Sequence, residues 1–147
     1  MRLVFRGILW FGLYLFLILL PLATAAISDP SRVSPPLIVE IGVGVGFVGL
    51  ALMCLEFALI SRIKAAAQAF GEDSLQLFHN LMGMVALLFL VAHPILLVLS
   101  GYPANCWLNP FASCANVATR TASLALYVLF VLVGLSLWRK KLGIKYE

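Results

Sequence analysis

The chain contains two histidines, His79 and His93, and both lie in one long apolar stretch. A neutral imidazole is a good axial ligand for haem iron and a frequent ligand for other metals. The 14 positions between the two residues correspond to about 21 Å along an α-helix and fall about 40° short of four full turns. Both rings therefore point from one helix face at two depths, too far apart to share one metal ion. The spacing favours two separate planar cofactors, each with one axial nitrogen from this helix.

The composition predicts an integral membrane protein. Hydrophobic residues make up 63% of the 147 and charged residues 11%, whereas a soluble domain carries about 25% charged residues. This balance excludes a soluble enzyme, a disordered segment and a nucleic-acid-binding protein. Four apolar stretches reach the roughly 20 residues that a helix needs to cross a bilayer, at about 7–27, 36–60, 75–99 and 121–138. They are continuous rather than alternating, so we predict an all-α bundle of four transmembrane helices.

The cationic residues predict the orientation of these helices. Eight of the ten lysines and arginines flank the helix ends on one side of the bilayer, and only Arg32 and Arg120 lie on the other. Loops rich in lysine and arginine stay in the cytoplasm. We therefore predict a multi-pass protein of the cell membrane with both termini cytoplasmic. The net charge of +4 then reflects orientation in the lipid bilayer and not a nucleic-acid partner.

A structural role for the two histidines is the alternative to a ligand role. Each ring could be an isolated polar side chain that hydrogen-bonds a neighbouring helix. Ionisable groups within a membrane are costly and usually functional, and these two share one face in a chain that is otherwise without histidine. We therefore interpret His79 and His93 as metal-ligating, cofactor-binding residues and keep the helix-joining role as the alternative.

These residues occur in a recognisable pattern. Residues 73–83, DSLQLFHNLMG, followed by residues 90–94, LVAHP, resemble the third helix of ferric reductase-like transmembrane domains, a family that includes ferric reductases and NADPH oxidases. Arg62, at the predicted cytoplasmic end of span two, is similar to the family's arginine at that place. The basic tail after span four, residues 135–147, resembles the loop that follows the family's fourth helix. The resemblance covers spans two to four, and span one only by position.

The resemblance implies transmembrane electron transfer through two b-type haems, as the membrane part of an oxidoreductase. His79 would hold the inner haem and His93 the outer one. By its charge and position, Arg62 could pair with a haem propionate; the alternative is that it only follows the preference of cationic residues for the cytoplasmic side. FAD and NAD(P)H would belong to a flavin reductase module on a domain or partner outside this chain. In the family a fifth helix supplies the second axial ligands. We therefore expect residues 1–147 to be such a domain, incomplete at its C-terminus, with the missing ligands from further chain, a partner chain or a homodimer.

Two other functions stay open at this point. One is a haem-b, quinol-oxidising membrane subunit that serves a periplasmic reductase. The other is a cofactor-free tetraspan structural or assembly subunit. Neither the chain's histidines nor its loops form a complete active site, so we do not assign catalytic residues.

Four further expectations concern packing and local structure. The small residues Gly42 and Gly46 form a spacing typical of close helix packing. Glu56 lies one turn inside the predicted cytoplasmic end of span two, where we expect it to reach the interface or pair with a cation. Asp73 is positioned to cap the third helix, with Gln76 completing a capping box. We expect Cys54 to be a small buried apolar residue.

Cys106 and Cys114 share the predicted outer loop, eight positions apart. If that loop faces an oxidising compartment, the two cysteines could form a disulfide. Spacing alone does not fix the geometry that such a bond requires, so the sequence leaves this pairing open.

Overall fold

A computed structural model describes residues 2–28, 35–60 and 70–142. These residues are mostly helical and contain no strand. The helices are α1 (Arg2–Ser28), α2 (Leu37–Ile60), α3 (Glu72–Leu99), α4 (Ala104–Leu108) and α5 (Val117–Leu142). Within the described residues, four of them are long and apolar enough to cross a membrane: Val4–Ser28, Leu37–Leu59, Glu72–Leu99 and Val117–Trp138. The predicted all-α class with four membrane-spanning helices is therefore confirmed.

Helix α3 begins one residue before the predicted cap. Gly71 is its N-cap, with φ +83° and no side-chain hydrogen bond to the helix. Glycine adopts this left-handed conformation at little cost, so the chain turns before Asp73 and the helix starts at Glu72. The prediction that Asp73 caps α3 is therefore wrong. Both acidic residues lie in the first turn, where negative charge interacts favourably with the helix dipole.

The chain forms two compact units, one up to Ser100 and one from Gly101 onward. In the first unit, α2 packs along both α1 and α3. Its core contains one buried side chain from each helix, Ile18, Leu52 and Ala86. Many large apolar side chains on the outer faces of these helices are exposed, as expected for surfaces that meet lipid or other helices. Cys54 is also exposed, so the prediction that it is buried is wrong.

Glycines on one face of α2 allow α3 to approach closely. A Cβ added at Gly42 would lie 3.2 Å from the Cβ of Leu96, and one added at Gly49 would lie 3.1 Å from the Cβ of Phe89. Both distances are shorter than ordinary van der Waals contact. The predicted packing role of the Gly42–Gly46 pair is confirmed, and Gly49 extends the same face by a turn. Small residues at such positions let the backbones of membrane helices approach closely, which favours their packing although no hydrophobic driving force acts between them.

The second unit joins a short helix to a long one. A disulfide links Cys106 in α4 to Cys114, with 5.4 Å between their Cα atoms, so the pairing that the sequence left open is made. The hydroxyl of Tyr127 in α5 donates a hydrogen bond of 2.5 Å to the carbonyl oxygen of Leu108. Ser123 of α5 also donates to a carbonyl oxygen of α4. These bonds fix α4 against the first half of α5.

Candidate functional site

His79 lies seven positions into α3 and contacts a buried carboxylate. Its Nδ1 atom is hydrogen-bonded to Oε2 of Glu56 in α2. The other carboxylate oxygen, Oε1, accepts a hydrogen bond of 3.3 Å from the hydroxyl of Tyr14 in α1. Glu56 is only 3% exposed. Side chains from all three helices of this unit therefore meet at one buried acid.

The tautomer of the His79 ring depends on the charge of Glu56. A carboxylate can only accept hydrogen bonds, so with Glu56 ionised the Nδ1 atom of His79 carries a proton. In the neutral imidazole the lone pair that can bind a metal is then on Nε2. The His79 side chain is 29% exposed, so part of the ring is accessible from outside the three helices.

Aromatic packing holds the Tyr14 side of the network. The rings of Tyr14 and Phe78 meet edge to face, with centroids 5.2 Å apart and planes at 70°, which is a favourable geometry for two aromatic rings. An apolar cavity of about 360 Å³ adjoins this pair. Its lining consists of Trp10, Phe11, Tyr14, Leu59, Phe70, Ser74, Leu75 and Phe78.

His93 is held against the glycine face of α2. Its Nδ1 atom hydrogen-bonds the carbonyl oxygen of Gly42 at 2.8 Å. A Cβ added at Gly46 would lie 2.5 Å from that Nδ1 atom and 2.9 Å from both Cγ and Cε1 of the ring. The imidazole thus occupies space that only a glycine at this position leaves open. A carbonyl oxygen also only accepts, so the Nδ1 atom of His93 is protonated and the lone pair of the neutral ring is on Nε2.

The two histidines are therefore oriented in the same way. Each ring contacts an oxygen atom of α2 through its Nδ1 atom. Histidines that bind metals almost always donate their other ring N–H to a carboxylate or a backbone carbonyl. In the described parts of the chain, no group of three or more histidine, cysteine, aspartate or glutamate residues could hold a metal ion. The two histidines fit two separate sites, with one ring nitrogen at each. A haem, which binds protein nitrogens along the axis of its planar ring, requires such single donors.

The structure brings together residues that the sequence interpretation did not connect. His79 and His93 lie on one continuous helix, and both face α2. Of the two alternatives expected for Glu56, reaching the interface is wrong, because the side chain lies inside the unit between Tyr14 and His79. Its partner there is the imidazole of His79, which is a cation only when it is protonated. An acid within an apolar span was the signal that could have identified it. Tyr14 carried no such signal among the many aromatic residues. Arg62 lies outside the described residues, so its predicted role stays a prediction.

A comparison with known protein families found one match over most of the chain. The model of the family described as "Ferric reductase like transmembrane component" matches residues 45–147. That range contains α3 with both histidines, together with Glu56 and Gly46 of α2. Neither a curated protein nor a solved structure matches the chain.

Proposed function

The chain belongs to the family of ferric reductase-like transmembrane components, and on that premise we propose that it is the haem-binding membrane part of an oxidoreductase that transfers electrons across the bilayer. The family match and the four apolar helices make the chain a multi-pass membrane domain of this family. Beyond that, we propose that it holds two b-type haems through His79 and His93.

The orientation of the two rings is the observation that carries the proposal. Nδ1 of His79 is bonded to a carboxylate and Nδ1 of His93 to a backbone carbonyl, so Nε2 is the nitrogen suited to iron in both. When bound, each haem supplies a one-electron iron couple. The protein's part is to hold each imidazole in one tautomer and one orientation and to set the polarity around it.

Other residues of the chain support the same role. The glycine face of α2 leaves room for the His93 ring against Gly46. Arg62 would bind a haem propionate, because a guanidinium pairs well with a carboxylate. The second axial ligands would come from further helices of the same chain, a partner chain or a second copy. A flavin reductase module with FAD and NAD(P)H would deliver the electrons.

A cofactor-free tetraspan subunit is the competing candidate, and the same hydrogen bonds favour it. Each histidine joins α3 to α2, which is what a purely structural role requires. The two candidates differ in one measurable respect, because only the first needs the Nε2 atoms to bind iron.

The test is the haem content of the full-length protein, purified from membranes in mild detergent. A reduced-minus-oxidised visible spectrum and a haem-to-protein ratio should give a b-type spectrum with two haems per chain. His79→Gln and His93→Gln should each lose one haem, since glutamine keeps polarity but is not an axial ligand. Asn80→Gln, on the exposed neighbour of His79 in α3, is the matched control and should keep both.

Two outcomes would overturn the proposal. A wild-type protein that is stable in membranes and contains no haem, even when it is co-purified with the helices that supply the second ligands, would support the tetraspan subunit. Two haems retained in both histidine variants would mean that other side chains bind the iron.

A further inference from the structure

Glu56 receives two hydrogen bonds from opposite sides of the first unit. Tyr14 of α1 donates to Oε1 and Nδ1 of His79 in α3 is bonded to Oε2. Tyr14 precedes the range that the family model matches, residues 45–147, whereas Glu56 and His79 lie within it. This connection therefore links α1, which the family match leaves out, to the ligand helix.

We propose that Glu56 is a positioning residue for His79, and that Tyr14 adjusts the hydrogen bond between them, so that the pair sets the redox potential of the iron that His79 binds. The proposal rests on the proposed function, because it requires that His79 binds haem iron.

The effect of Glu56 follows from the chemistry of the imidazole ring. A carboxylate that accepts the Nδ1–H hydrogen bond raises the electron density on the ring and makes Nε2 a stronger donor. A stronger donor stabilises ferric iron relative to ferrous iron and lowers the potential. The Nδ1 atom of His93, in contrast, is bonded to a neutral carbonyl oxygen, that of Gly42. Glu56 contacts the ring of His79, so we expect its electronic effect at the His79 site.

The effect of Tyr14 is opposite in sign to that of Glu56. Two donors share one carboxylate, and a hydrogen bond from the phenol draws electron density away from it. The carboxylate is 3% exposed, so water does not readily replace a lost donor. Without the tyrosine hydroxyl, Glu56 would accept more strongly from His79, and the potential at that site would fall further.

The experiment is a spectroelectrochemical titration of the full-length, haem-loaded protein in lipid nanodiscs. The component missing in His79→Gln identifies the haem at that site. Glu56→Gln keeps the size and an acceptor oxygen but removes the charge, so it should raise the midpoint potential of this component alone. Tyr14→Phe should lower the same component. Glu40→Gln is the matched control, because it removes the other acidic charge of α2 at an exposed position, and it should leave this component unchanged.

The outcomes separate this proposal from the proposed function. Opposite shifts in the two variants, confined to one haem, support it, since a residue that only joined helices would not move the potential in two directions. Unchanged potentials with both haems bound would overturn it and leave the proposed function intact. If Glu56→Gln loses haem, the sign of the Tyr14→Phe shift decides, and an upward or absent shift overturns the proposal. A wild-type protein without haem, co-purified with the helices that supply the second ligands, would overturn the proposed function itself.

Discussion

Replacing Gly46 by alanine tests the close packing of His93 on α2. A Cβ at this position would lie 2.5 Å from Nδ1 of His93 and 2.9 Å from two further ring atoms. Non-bonded heavy atoms pack best at about 3.5–4.0 Å, so the ring has to move by about 1 Å to relieve the contact. Gly42 and Gly46 lie one turn apart on the same face of α2. That movement therefore also lengthens the 2.8 Å hydrogen bond from Nδ1 to the Gly42 carbonyl oxygen.

The size of the effect follows from these two losses. Overpacking a tight contact costs about 1–3 kcal/mol. Losing a hydrogen bond adds about 1 kcal/mol. Alanine is a better helix former than glycine, which offsets about 1 kcal/mol of this loss. We therefore expect Gly46→Ala to lower the free energy of unfolding by roughly 1–3 kcal/mol.

Denaturant unfolding of the membrane-reconstituted protein, followed by helical circular dichroism, measures this change. Gly44→Ala is the matched control on the same helix. Its added Cβ would meet only Leu22 Cδ1 at 3.7 Å, an ordinary contact, so we expect no loss of stability. A second control is Gly46→Ala in a His93→Ala background, where the clashing ring is gone and the cost of the glycine substitution should largely disappear.

Two results would refute the reasoning. Equal stability of Gly46→Ala and Gly44→Ala would mean that the ring of His93 does not lie on Gly46. A cost for Gly46→Ala that persists without the His93 ring would assign the effect to a different contact.

Three further predictions concern the unit that begins at Gly101. Peptide mapping after alkylation without reduction should leave Cys106 and Cys114 unmodified and label the third, exposed cysteine, and alkylation of all three before reduction would contradict the pairing. Replacing both bonded cysteines by serine should lower the free energy of unfolding by about 2–3 kcal/mol, because it removes the entropic constraint of a nine-residue loop. Tyr127→Phe removes a 2.5 Å hydrogen bond to a carbonyl oxygen of α4 and should lower the free energy of unfolding by about 1 kcal/mol, whereas an unchanged unfolding curve would mean that the bond contributes nothing. Asn116 accepts a hydrogen bond of 2.8 Å from the third residue of α5, so Asn116→Ala should lower the free energy of unfolding by about 1 kcal/mol. Asn116→Ser can still cap the helix and should lower it less, whereas equal losses in the two variants would exclude a capping role.

The sequence alone determined the helices and the separation of the two histidines. Apolar runs that are long enough and continuous rather than alternating favour helices in a bilayer, and the helix repeat then places His79 and His93 on one face. The close packing at Gly42 and Gly46 was also predictable, because small residues one turn apart are a local pattern. Such features depend on residues that are near one another in the chain.

Only the tertiary structure decided which atoms face the two imidazoles. The partners of Glu56 are 23 and 42 positions away in the sequence, and Gly42 and His93 are 51 positions apart. No local pattern encodes such pairs, because they depend on how far each helix is rotated and shifted against its neighbours. The sequence therefore predicts for Glu56 only that it reaches the interface or pairs with a cation, whereas the packing of α1, α2 and α3 encloses it between Tyr14 and His79.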